Sequence, residues 1–172
     1  MRLSIKSAAP LALLGALLTT GSPCLAQGGR PTNTISVAAM PGLVNFALLP
    51  AGPANGDSPI TITTTWDLNP SVTSVTLYAY FIDSAAALSS GLGDRIPSGN
   101  VYGKVGTGAF TSFTGSGPFG AGGSLTIFSE NILGRNRRKT RTDALELRID
   151  TAGLALPAGT YTGTLRLQVQ VI

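Results

Sequence analysis

The strongest constraint on the fold is a strict period-two pattern over residues 161–171. Tyr161, Gly163, Leu165, Leu167, Val169 and Val171 fall on one side, against Thr162, Thr164, Arg166, Gln168 and Gln170 on the other. A half-buried β-strand keeps its apolar residues on one face at this period, and a helix does not. The same pattern recurs in shorter runs punctuated by Gly, Pro, Asn and Asp. Ile35, Val37 and Ala39 make one face before Pro41-Gly42; Val44, Phe46 and Leu48 make the next, ended at Pro50–Pro53. Ile60, Ile62, Thr64, Trp66 and Leu68 form a third, and Val75, Leu77, Ala79 and Phe81 a fourth. Strand pieces are expected at Val101–Val105 and Phe110–Phe113, then from Ser124 to about Leu133 and from Thr140 to Asp150. Asp83–Ser90 is expected to make one or two helical turns, with no longer helix anywhere. Seven or eight short strands joined by turns predict an all-β chain, a β-sandwich with Trp66 at the core centre.

Composition narrows the chemistry. The chain is 43% hydrophobic and 12% charged, so it carries enough apolar surface for a core. It has 172 residues, which suits one domain. With no His, the commonest general base and metal ligand is missing. One Cys supports neither an internal disulfide nor a thiolate metal cage.

Residues 1–26 read as a secretory signal peptide: Arg2 and Lys6 give a positive start, Ala8–Leu18 an apolar run, and Gly21–Ala26 a small-residue exit cleaved after Ala26. A lipoprotein reading would modify Cys24, but Gly21, Ser22 and Pro23 fit such a site poorly. Removal of this leader takes away the Cys and two of the 12 basic side chains, leaving a net charge near +2. No later stretch is apolar and long enough to span a membrane. Residues 27–42 are then an N-terminal extension, and residues 43–172 the domain.

No catalytic constellation emerges, and the expectation is a protein that is not an enzyme. Gly115–Gly120 has the letters of a dinucleotide loop, yet a strand pattern follows it and Pro118 sits where a helix would start. Lys104 and Lys139 lack a Ser three residues ahead. Asp83 and Asp94 could pair for glycoside hydrolysis, with solvated turn residues as the plainer reading. Arg135, Arg137, Arg138, Lys139 and Arg141 put five cations in seven residues at an expected hairpin. One exposed cationic tip there would contact an anionic surface or glycan through long-range electrostatics. With no aromatic interleaved, specific nucleic-acid binding is not expected. The plain alternative is a charged hairpin that blocks edge aggregation.

The ordering of the strands suggests more. An alternating segment opens the body and a bare strand closes it, so a groove beside the last strand could take an extended segment from a neighbour. Repeated head to tail, such a contact does not close and builds a filament. Alternatively, residues 31–40 fold back as the domain's own edge strand.

Leu156-Pro157-Ala158-Gly159-Thr160-Tyr161 with the alternation after it, and Val101-Tyr102-Gly103-Lys104 before it, resemble the spore-coat-U-type and archaic chaperone–usher pilins. The likeness is strongest over the last sixteen residues. It implies an immunoglobulin-like sandwich of about seven strands with an N-terminal donor strand. Ile35, Val37 and Ala39 would be the donor plugs, and Tyr161, Leu165, Leu167, Val169 and Val171 would line the acceptor groove. It also implies a bacterial fimbrial (pilus) subunit, exported via the periplasm to the cell surface, polymerised by donor-strand exchange with identical subunits and active in adhesion. A periplasmic chaperone and an outer-membrane usher would be its assembly partners, and no cofactor or metal is implied. This chain departs from many such proteins in lacking a disulfide and in ending on Val171-Ile172 without an aromatic. The competing expectation is a monomeric secreted immunoglobulin-like module that binds a glycan or anionic surface through the hairpin 135–141.

Overall fold

The computed structural model describes residues 2–7, 33–118 and 122–172. The expected apolar run, Cys24 and the cleavage point at Ala26 lie outside the described residues, as do Phe119–Ala121 of the Gly-rich loop.

Two sheets pack face to face as a β-sandwich. The first contains β1 (Arg2–Ser7), β3 (Leu43–Asn45), β6 (Ser74–Tyr80), β7 (Leu88–Ser90), β8 (Arg95–Ile96), β11 (Ser124–Asn131) and β13 (Tyr161–Val171). Its main path runs β11-β6-β13-β1-β3, with β7 and β8 continuing beside β13. The second contains β2 (Thr34–Met40), β4 (Pro53–Asn55), β5 (Ile60–Asp67), β9 (Val101–Val105), β10 (Thr111–Ser112) and β12 (Arg138–Asp150). Its order is β10-β9-β12-β5-β2, with β4 also on β12. All pairings are antiparallel except β1 with β13, which is parallel.

The alternation dictates which side of each strand is buried. Ile60, Ile62, Thr64 and Trp66 of β5 face inward, with the intervening threonines outward. Val75, Leu77 and Ala79 of β6 and Leu145, Leu147 and Ile149 of β12 do the same. Trp66 is buried in the core as expected, stacked on Phe128 at 6.0 Å, and its indole N–H donates to the Asn136 carbonyl at 2.9 Å. That bond satisfies the one polar atom such a large side chain brings inside.

The helical expectation over Asp83–Ser90 is corrected. Residues 83–87 form turns, and Leu88–Ser90 is a strand paired with Tyr161–Gly163. Gly163 permits this pairing, because a Cβ there would collide with the backbone carbonyl of Ala87. Tertiary pairing with a long strand overrides the helix preference of the Ala-Ala-Ala run.

Candidate functional site

The feature that sets this sandwich apart lies beside β13. One side of β13 is covered by β7 over 161–163 and by β6 over 166–171. On the other side, residues 162–167 pair with β1, and β1 in turn pairs with β3. Among the described residues, β1 is the only strand partner of β3. The sheet is therefore bridged there by a segment from far outside the domain body. Without that segment, β3 and β13 stand two strand spacings apart, about 10 Å, a slot for one added strand.

The groove residues expected from the sequence all lie on β13. Tyr161, Leu165 and Leu167 are buried, and Val169 and Val171 are partly buried against the same core. They form the inner face of the strand, hence the floor of the slot rather than its rim. Val44 and Phe46, both buried, supply the opposite wall. The Tyr161 hydroxyl donates to the Pro157 carbonyl at 3.0 Å, tying the start of β13 to the turn before it. Burial, reinforced by the negative charge of Asp94, pushes its phenol above the ordinary value.

Ile35, Val37 and Ala39, the expected donor residues, lie elsewhere in this monomer. They sit on β2, which pairs with β5 in the second sheet from Thr34↔Asp67 to Met40↔Thr61. Their side chains pack partly buried against the core, and β2 contacts β1 and β13 across the sandwich. Donor and acceptor residues thus pack against the same core within one chain, in different sheets. The fold-back arrangement of residues 31–40 is the one this monomer adopts over 34–40.

The cationic hairpin is not a single exposed tip. β12 begins at Arg138, so Lys139 and Arg141 follow the inward phase of Asp143 and Leu145. Lys139 reaches Glu130 of β11 at 2.7 Å, and Arg141 pairs with Asp143 at 2.8 Å and Glu130 at 3.5 Å. Arg141 also stacks over Phe128, 4.5 Å from the ring centre. Arg137 donates to the Asn69 carbonyl at 2.6 Å, and Arg138 pairs with Asp67. Of the five cations, Arg135 alone makes no ion pair or hydrogen bond through its side chain among the described residues. Burial raises the Glu130 carboxyl, but hydrogen bonds from Lys139 and Asn136 and the charges of Lys139 and Arg141 outweigh it. The net effect holds Glu130 below its ordinary value.

This network also occupies an edge. β9 covers β12 only over 145–149, so residues 138–144 have β5 on one side and no strand on the other among the described residues. Inward-pointing charges on an uncovered edge discourage further strand pairing. Across the sandwich, β11 carries a register shift between Thr126 and Phe128, another device that spoils an edge for pairing.

Asp83 and Asp94 are both turn residues: Asp83 accepts the Ala85 amide at 2.9 Å, and Asp94 accepts the Ser90 hydroxyl at 2.9 Å. Gly115 pairs with Ser124 as β11 begins, so the Gly-rich loop leads into a strand and not a helix. Among the described residues no His/Cys/Asp/Glu cluster is placed to hold a metal. Nor is any helix there long and apolar enough to cross a membrane. Comparison with known proteins finds no matching family model, no matching curated relative and no matching solved structure.

Proposed function

We propose that this chain is a secreted structural subunit of an extracellular filament, built on an immunoglobulin-like sandwich and joined to identical subunits by β-strand addition. It has no catalytic role in this reading. One observation carries it: among the described residues, β3 and β13 are joined only through a strand from outside the domain body. The tyrosine at the start of β13, bonded to a backbone carbonyl four residues upstream, is a feature of immunoglobulin-like sandwiches and supports that finer fold assignment.

The donor in this reading is the neighbour's extension, residues 27–42, with Ile35, Val37 and Ala39 entering the slot. In the monomer β2 is hydrogen-bonded to β5 along one side. In the slot the same segment would have ladders on both sides, β13 and β3. That difference favours exchange, because each added ladder bond contributes roughly 0.5–1.5 kcal/mol net. The contact joins two different surfaces and repeats without closing, so it builds a filament.

The test uses the chain beginning at Gln27, which has no Cys. Ser36 and Thr65 are register partners on β2 and β5 and both are exposed. A Ser36→Cys/Thr65→Cys disulfide would hold β2 in its own sheet. The oxidised protein should run as a monomer on an unboiled SDS gel and the reduced protein as a ladder that boiling collapses. Equal ladders in both states would refute the donor assignment, and no ladder in either would refute the filament.

A further inference from the structure

We propose that Arg2–Ser7 is an internal plug, a strand that holds the slot beside β13 closed until the leader is removed. The inference rests on the strand-addition reading and names a second occupant for the same slot.

The pairing is specific in register. Arg2–Ser7 runs parallel to β13 from Arg2↔Thr162 to Ser7↔Leu167. It runs antiparallel to β3 from Arg2↔Asn45 to Ser4↔Leu43. Ladders on both sides make it an interior strand, which no loop passing over a surface would be. Its sequence alternates in the required way, Leu3 and Ile5 against Ser4 and Lys6. The register sets Ile5 level with Leu165, and Leu3 level with Gly163 and Val44. These are the inner-face positions of the two walls.

The six residues are tethered to the domain through residues 8–33. A tethered strand competes with a free one at an effective concentration in the millimolar range. A neighbour's segment at ordinary protein concentration would therefore lose to the plug while the chain is intact. Cleavage after Ala26 converts the plug to a free peptide, and its advantage disappears by dilution.

The experiment uses the full chain with Cys24→Ser and a specific protease site placed after Ala26. Two cysteine pairs are compared: Ser4→Cys with Thr164→Cys, which are register partners, and Ser4→Cys with Gln170→Cys, which are not. The first pair should form an intramolecular disulfide and the second should not. After proteolysis, the cross-linked chain should stay monomeric, with slow hydrogen exchange at Gly163–Leu167. Reduction should then release the plug, with loss of that protection in dilute monomer and its return as the SDS-resistant ladder forms at higher concentration. Failure of the first pair to cross-link, or equal cross-linking of both, would overturn the plug. So would unchanged exchange in the released chain while it is still monomeric. A formed disulfide and lost protection without any ladder would leave the plug standing and refute the filament.

Discussion

Glu130→Gln is the sharpest probe of how the cationic segment is held. The carboxylate sits on β11, facing the opposite sheet, and is 16% exposed. Its Oε1 accepts Lys139 at 2.7 Å and Asn136 at 2.8 Å, and Arg141 lies 3.5 Å from Oε2. Hydrogen bonds to a charged group contribute about 1.5–3 kcal/mol net. The Lys139 share is cut by solvent, because that side chain is 39% exposed and such pairs are worth under about 1 kcal/mol. Glutamine keeps an acceptor for Asn136, and Arg141 keeps Asp143. Lys139 loses its carboxylate but is open to water, so the roughly 3–5 kcal/mol cost of an unpaired buried charge does not arise. The expected loss is about 1.5–2 kcal/mol, or about 5 °C in Tm for a domain of this size.

The pH dependence fixes the cause. The folded carboxyl titrates below its ordinary value of 4.5, so its contribution is fully present above that pH. It is lost as the pH falls through the folded value. Thermal unfolding of wild type and Glu130→Gln from pH 7 downward should show a gap that is constant at neutral pH and narrows below 4.5. A variant as stable as wild type at pH 7, or a gap that persists in acid, would refute an ionised Glu130 bridging the two sheets.

Four further substitutions test the core and the surface. Gly163→Ala should destabilise by about 2–4 kcal/mol in denaturant melts, since the new methyl meets the Ala87 carbonyl and forces β7 away. Gly159→Ala, with nothing within 4 Å, should stay within about 0.5 kcal/mol of wild type. Thr64→Val should stabilise by about 1 kcal/mol, because the Thr64 hydroxyl is fully buried without a hydrogen-bond partner among the described residues and valine keeps its shape. Arg138→Ser should shift stability by under about 0.5 kcal/mol, since the Arg138 side chain paired with Asp67 is 83% exposed.

The strands were legible wherever one face is buried and the other is wet. Val101–Val105 matches its expected bounds, and β5, β6, β12 and β13 fall where the alternation puts them. What escaped depends on partners far away in sequence. Leu88–Ser90 is a strand because Gly163 lets it approach β13, and no local signal in Ala85-Ala86-Ala87 announces that. Likewise, the choice between a donated and a self-paired Thr34–Met40 turns on β5 being within reach, which alternation alone does not encode.

The cationic hairpin is different, because the information was present and the count of charges concealed it. Lys139, Arg141 and Asp143 are in phase with Leu145, Leu147 and Ile149, and a strand's phase does not change where its residue types do. Reading the period backward from Leu145 sends two of the five cations inside and calls for an acid opposite them. Glu130, one of only two glutamates in the chain, meets that need. The same lesson holds for Arg2–Ser7. Its two charges read as the start of a leader, yet Leu3 and Ile5 between them carry the strand period that the slot beside β13 accepts. Charge says where a segment is addressed, and phase says what it pairs with. In the cationic segment it is the phase that fixes the position in the fold.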